Sequence, residues 1–398
     1  LLVEKNGMLG GTVTVACIPA PAHFFAWGTQ IIGGIGWELV RRCLETMDRE
    51  IPDGSYSAGK SKPAHIGVSP TVYAALCDQM VLDAGVELML HAMPASAQYV
   101  DGGWTVSVCT KTGLKTCRAK ELVDATGDAN VVEMAGFELV RPETVQPASL
   151  VMHCSGYDYD ALDLEAFRAA AAKAIDEGRL IVTDLTWYEG SPERLLRAHG
   201  HNANHVRAHG AETSAGRTLA EVEARRSALR VLTFCRQLPG LENFRIDWMC
   251  TEAGIRETTV IKGKETISTE DYESGRLFDD AVCYAYYQID EHLNDGLGIN
   301  QRQLAQSTLP TIPRGALLPQ GSRHLAVAGR CLSSSREAQS ALRVEAPCMA
   351  MGQAAGVMAA LSAKTGTDMA ELPREEIVDE LHRHDAIVPP DIDPSQLH

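Results

Sequence analysis

No two of the eleven cysteines stand at C-x-x-C spacing. That excludes the usual signatures of a dithiol redox centre or a cysteine-bound cluster, and intervals such as Cys109 to Cys117 and Cys331 to Cys348 are not of that kind. Reduced thiols in a cytoplasmic protein are the expectation. Positive charge is in deficit, with 36 Lys and Arg against 52 Asp and Glu and a formal charge of -16. Such a surface repels polyanions and excludes non-specific nucleic-acid binding, while a local basic pocket for a small anion is compatible with it. No apolar run has the composition of a membrane span: the longest, Ala346 to Ala363, is diluted by Gln353, glycines and alanines and reads as a buried helix. Internal repeats and low-complexity tracts are absent. The opening Leu1-Leu2-Val3-Glu4 has no methionine, basic segment or apolar leader, so the chain is expected to begin inside a buried strand. What is present, 398 residues at 45% hydrophobic content, builds a large core and two or three domains.

Local patterns give an α/β order. Leu1 to Glu4 leads into the turn residues Lys5-Asn6-Gly7 and then Gly10-Gly11. A helix is predicted over Trp37 to Asp48, after Gly33-Gly34-Ile35-Gly36. A second follows Ser69-Pro70, an N-cap and an N1 proline, and ends at Gly85. Gln98 to Arg118 reads as a meander turning at Asp101-Gly102-Gly103 and Thr112-Gly113, and Glu121 to Asp128 as a buried strand running into a glycine turn. From Gln146 to Pro313 short strands and helices mix, as in an inserted domain. There Thr218-Leu219-Ala220-Glu221 is a capping box, opening a helix that Leu238-Pro239-Gly240 stops. Arg323 to Arg330 returns to a strand, Pro347 to Leu361 is a small-residue helix, and the tail after Leu372 is expected to be peripheral.

An acid at the end of a second strand, here Glu4, accepts hydrogen bonds from an adenosine ribose in dinucleotide-binding folds; alone it is an ordinary surface acid. Its company matters more. Glu4-Lys5, Gly10-Gly11-Thr12, Ala125-Thr126-Gly127-Asp128 and Leu325-Ala326-Val327-Ala328-Gly329-Arg330-Cys331 occur in order, followed by Ser340 to Val344 and then Cys348-Met349-Ala350-Met351-Gly352-Gln353-Ala354-Ala355-Gly356. In the middle stand Gly254-Ile255-Arg256-Glu257 and Asp271 to Arg276. Together these segments, spread over nearly the whole chain, resemble the FAD-dependent oxidoreductases related to the heterodisulfide reductase A subunit, within the glutathione-reductase-like flavoproteins.

The resemblance implies a Rossmann-like FAD/NAD(P)-binding domain, discontinuous over 1–145 and 314–372, an inserted mixed α+β substrate domain over 146–313, and a peripheral tail over 373–398. FAD would be held by Glu4, Lys5, Gly10, Gly11, Thr126, Gly127, Asp128, Gly329, Arg330, Met351, Gly352, Gln353 and Ala354. The N-H groups opening the helix near Pro347 suit a flavin edge that becomes negative on reduction, and Arg330 suits a phosphate, or a surface ion pair. Gly352 and Gly356 allow close approach of the cofactor or of a packed element. The family's pyrophosphate-binding glycine loop belongs roughly thirty residues before the ribose acid. None precedes Glu4, and a fragment lacking the first strand and helix is the expectation, with a paralogue that has lost the cofactor as the alternative.

For the substrate, His199, His201, His205 and His209 offer three readings: a metal site on a helix face, a strand presenting His205, Arg207 and His209 on one side, or solvated histidines. No acid or cysteine completes a ligand set, and no metal is assigned. Arg256, Arg343 and His205 are the candidate catalytic and binding residues for a small anionic substrate, with His205 as proton donor; the alternative has Arg256 paired to a nearby glutamate. An oxidoreductase passing a hydride or electron pair between FAD and that substrate is thus the expected function. An FAD-fold subunit serving an electron-transfer partner is the alternative, and a homo-oligomer fits either. Neither nucleic acid nor membrane is an expected partner.

Overall fold

The computed structural model describes residues 1–58, 65–188, 190–294 and 297–397, and its architecture is mixed α/β. β1 (Leu2–Val3) runs parallel to β2 (Leu88–Met89), with Leu2 opposite Leu88. Among the described residues β1 has this one strand neighbour, which leaves Leu1 and Leu2 55% and 36% exposed where a buried strand is expected. Between the two strands lie α1 (Gly34–Thr46) and α2 (Pro70–Asp83). α2 is bounded as its sequence dictates: Ser69 Oγ accepts from Val72 N, Pro70 stands where no N-H is needed, and Gly85 follows at φ 72°.

β3 (Met93–Val100), β4 (Gly103–Thr110) and β5 (Gly113–Ala119) form the antiparallel meander, with Asp101 and Gly102 at φ 54° and 77° in its first tight turn. β6 (Leu122–Asp124) then enters a turn that Asp124 organises. Its Oδ1 accepts from Thr126 N and Oγ1, and its Oδ2 from Val131 N and Val132 N at the start of α3 (Asn130–Met134).

The stretch 146–313, expected as one insert, is divided between two cores. α4 (Leu164–Asp176), α5 (Ser214–Cys235) and a sheet of β7 (Met152–Ser155), β8 (Gly200–His201) and β9 (Arg245–Met249), ordered β8-β7-β9, bury Leu150, Met152, Phe167, Val231, Phe234 and Phe244 together. The next four strands are β10 (Ala281–Tyr284), β11 (Ile289–His292), β12 (Ile299–Arg302) and β13 (Thr311–Pro313), paired β10–β13 and β11–β12. Their Val282, Tyr284, Ile289 and Ile312 pack into the core that α1 and α2 share with the C-terminal helices. α5 starts earlier than its capping box suggests: Thr213 is the N-cap, Thr218 Oγ1 donates back to Ser214 O, and Glu221 accepts from Ala253 N.

β14 (Leu325–Val327) pairs in parallel with β6 and leads to α6 (Arg336–Leu342), α7 (Glu345–Thr365) and α8 (Arg374–Arg383). α7 has the length and apolar composition of a membrane span, but its Met351, Ala354, Ala355 and Met358 are buried in the main core. The tail is not peripheral. Ile377, Leu381 and Val388 are buried in the same core, Gly34 N donates to Asp385 O, and Gln353 Nε2 donates to His384 O. A periodic apolar face on α8, which short length and flanking prolines obscure in the sequence, accounts for this.

Candidate active site

Ligands of parallel α/β sheets bind beyond the carboxyl ends of the strands. Glu4 to Gly11 follow β1, Ala125 to Ala129 follow β6 and Ala328 to Leu332 follow β14, so three of the sequence-derived cofactor segments stand at such ends, while the fourth, Met351 to Ala354, lies within α7. A side chain added at Gly11 or Gly352 would meet nothing within 4 Å, and at Gly329 only Cys348 Sγ at 4.0 Å. These open backbone positions and the half-buried Glu4 are the ones that fit a nucleotide cofactor. Glu4 Oε1 accepts from Asn6 N at 2.7 Å.

Other positions expected to hold FAD are engaged by the protein itself. Lys5 forms an ion pair with Glu252. Gly10 is crowded by the Thr14 side chain and Tyr73, and its φ of 101° makes it a turn residue. Thr126 is bound to Asp124. Arg330 donates to Asp128 Oδ1 at 2.6 Å and to Thr258 Oγ1 at 3.0 Å beside Gly127, so the ion-pair reading of Arg330 holds in this structure. Burial alone would raise the Asp128 carboxyl, but Arg330, Thr258 and Arg217 outweigh it and hold it low. Met351 and Ala354 are core residues, and the Gln353 amide bridges Ile35 N and His384 O. α7 opens at Glu345, near Pro347 as expected, but Ala346 N donates to Ala22 O, so its first turn is not a free N-H cradle. Gly352 and Gly356 do not pack tightly, since the space beside both is open.

A second assembly lies where β11, α6 and the loops around 146–149 and 202–206 meet. Arg256 is buried and donates to Pro147 O at 2.7 Å, Ser149 Oγ at 3.1 Å and Asn202 Oδ1 at 3.2 Å. No carboxylate lies within ion-pair distance of it among the described residues. The adjacent Glu257 is bound instead by Arg336 and Gln146 N. Burial, and then the like charge of Arg343, pulls the Arg256 guanidinium down to about 9, which leaves it charged at neutral pH. Arg343, at the end of α6, makes 3.4 Å contacts to Gln146 Oε1 and Asp290 O, and its nearest carboxylate oxygen, Asp290 Oδ2, is 3.8 Å away.

Asp290 and His292 share a face of β11, and His292 Nε2 stands 3.2 Å from Asp290 Oδ2. Burial opposes ionisation of Asp290, yet His292, Arg343 and Gln301 hold its carboxyl well below the ordinary range. Burial and then Arg256 depress His292 to about 3. His205 is 3% exposed, stacks at 8° to Trp187 and lies 4.8 Å from the His292 ring. Burial, Arg256 and His292 all lower it, which favours the neutral ring of His205. The strand reading of 204–207 also fails. Val206 makes a single bridge to Ala148, while Arg207 and His209 are exposed and His205 is not.

Sequence reasoning found Arg256, Arg343 and His205 and missed Asp290, His292, Gln146, Gln339 and Trp187. The Asp-x-His spacing of 290 and 292 was the one available signal. Two surface pockets of about 290 and 380 Å³ lie at the β3–β4 turn and along α5, away from this cluster, which is identified by its charges and unpaired polar atoms.

Glu345, half-buried at the start of α7, is pushed up by burial from its ordinary 4.5 to about 7. His23 and His292 are depressed from 6.5 to about 3, first by burial. The folded protein therefore holds a proton on Glu345 that the unfolded chain releases above about 4.5, so this contribution to stability is lost as pH rises through about 7. The histidines act oppositely, and their contribution is lost as pH falls from 6.5 toward about 3. The two histidine slopes outweigh the opposite Glu345 slope where they overlap, so thermal melts are expected to peak near pH 6.5, with Glu345→Gln removing the Glu345 contribution alone. An unchanged alkaline limb in that variant would refute the assignment.

A family model described as FAD dependent oxidoreductase matches residues 1–381. Distant likenesses among solved structures include BexE, described in work on oxidation during BE-7585A biosynthesis, at 12% identity, covering 96% of this chain and 60% of that one, with a TM-score of 0.42. The p-nitrophenol 4-monooxygenase PnpA of Pseudomonas putida DLL-E4 is 11% identical over 95% of this chain and 76% of its own, at a TM-score of 0.34. The OxyS anhydrotetracycline hydroxylase of Streptomyces rimosus is 14% identical over 37% of this chain and 31% of its own, at 0.26. The chain thus spans under two thirds of the length of OxyS and of BexE. No curated protein matches.

Proposed function

Because the chain belongs to the FAD dependent oxidoreductase family, whose cofactor is FAD, we propose that it exchanges a hydride or electron pair with a small anionic organic substrate held by Arg256 and Arg343. FAD supplies the two-electron chemistry when bound. Glu4, Gly11 and Gly329, which follow the carboxyl ends of parallel strands, and Gly352 on α7 are the residues we assign to holding it. The kinship with the heterodisulfide reductase A branch rests on the motifs alone, as does a cytoplasmic location on composition.

One observation carries the substrate reading: Arg256 is a buried guanidinium with no carboxylate within ion-pair distance among the described residues, held by neutral acceptors, with the charges of Arg343 and, more weakly, Asp290 around it. Burying such a charge is costly unless an anion compensates it. Asp290 is the carboxylate nearest Arg343, and Glu257 and Glu291 pair with Arg336, which leaves Arg256 as the guanidinium an anionic ligand would reach.

Reoxidation of the reduced, FAD-loaded protein, or its reduction, is to be followed with small carboxylic acids and with their neutral amides. Acids are expected to turn over and amides not to, with Arg343→Ala lowering kcat/KM for the acids by on the order of 100-fold, as for loss of a buried charge partner. Equal turnover of acids and amides, or an unaffected Arg343→Ala, would remove the anionic substrate.

A further inference from the structure

The anion clamp leaves the histidines unexplained. His292 Nε2 contacts Asp290 Oδ2, and an ionised carboxylate only accepts, so Nε2 carries the proton of that contact. With Arg256 and Arg343 nearby, a second proton on the ring is opposed by like charge, and Nδ1 remains an acceptor. That nitrogen is buried without a hydrogen-bond partner. So are both ring nitrogens of His205, Gln146 Nε2, Gln339 Oε1 and Arg343 Nε.

These atoms belong to one neighbourhood. Gln146 Oε1 accepts from His292 N and Arg343 Nη2, Gln339 Nε2 donates to Arg256 O, and the His205 and His292 rings are 4.8 Å apart. Buried polar groups are nearly always satisfied, and a cluster that leaves donors and acceptors open together is shaped for a partner of matching polarity. The partner must be anionic toward the arginines and must offer a donor to His292. An ammonium group would face two guanidinium groups, whereas a hydroxyl meets no such repulsion.

We propose that this cluster binds a hydroxycarboxylate, its carboxylate on Arg256 and Arg343 and its hydroxyl donating to His292 Nδ1, with Asp290 fixing the tautomer of the ring. The inference rests on the anion-clamp reading above. His292 is then a specificity-determining residue and Asp290 a positioning residue.

Lactate and propionate differ only in the hydroxyl, and titrating each into the full chain while recording 15N spectra of its histidines tests the assignment. Lactate is expected to bind at least tenfold more tightly than propionate and to move the His292 Nδ1 resonance, which propionate leaves in place. His292→Phe is expected to remove the preference for lactate over propionate. Asp290→Asn, whose amide can donate, is expected to release the tautomer and abolish the preference as well, and it keeps the test intact should the phenylalanine variant not fold. Equal affinities in the wild type, both lost in Arg256→Met, would overturn the hydroxyl assignment and spare the clamp. Failure of both acids to bind, or binding indifferent to Arg256→Met, would overturn the clamp and this inference with it.

Discussion

Arg256→Met is expected to weaken binding of an anionic ligand by roughly 100-fold or more, about 3 kcal/mol, while leaving the fold close to its original stability. The two halves of the result have separate causes. Binding falls because the ligand carboxylate loses its buried charge partner. Stability changes little because the methionine also removes the cost of burying a guanidinium that has only neutral acceptors, Pro147 O, Ser149 Oγ and Asn202 Oδ1. The acceptors left behind are neutral, and leaving them unpaired costs less than abandoning a buried counter-charge would. If Arg256 were instead a structural tie, its loss would cost roughly 3 kcal/mol or more and lower Tm by several degrees. Melting curves with and without a small carboxylate separate the two.

Truncation after Leu372 is expected to prevent folding. The deleted segment contributes Ile377, Leu381 and Val388 at 0%, 1% and 0% exposure, and it supplies Asp385 O to Gly34 N and His384 O to Gln353. Arg374 also donates to Ala281 O on β10. Burying three aliphatic side chains contributes about 5 to 9 kcal/mol, comparable with the whole stability of a typical domain. Removing them would expose the face of α7 that carries Met358 and the adjoining face of α1. Soluble, cooperatively melting protein from the truncated gene would refute this.

Some of the fold was legible because short-range chemistry decided it. Ser69-Pro70 and Gly85 bound α2, and Asp101-Gly102 turns the meander, through constraints that no distant residue alters. The tail misled because its few apolar positions gain meaning only against α7 and β10. At Thr218 a valid local pattern lost to a tertiary one, since Glu221 is held by Ala253 N and Arg225, and the helix opens at Thr213. Arg256 and Arg343 were found from their motifs, but sequence spacing could not tell that Glu257 turns to Arg336 instead of Arg256. Arg330 and Gln353 illustrate the reverse case: residues of the right type in the right motif whose polar atoms are satisfied within the protein. Asp290 and His292 escaped because the cluster is assembled from at least five separated segments, and its charges and unpaired atoms come together only in the fold.

The central claim joins FAD to an anion clamp, and the visible difference spectrum of the FAD-loaded full chain tests it most directly. Adding lactate is expected to shift the flavin bands, adding the neutral lactamide is expected not to, and Arg256→Met is expected to lose the response to lactate. A response to lactamide as large as that to lactate, or an undiminished lactate response in Arg256→Met, would contradict the account.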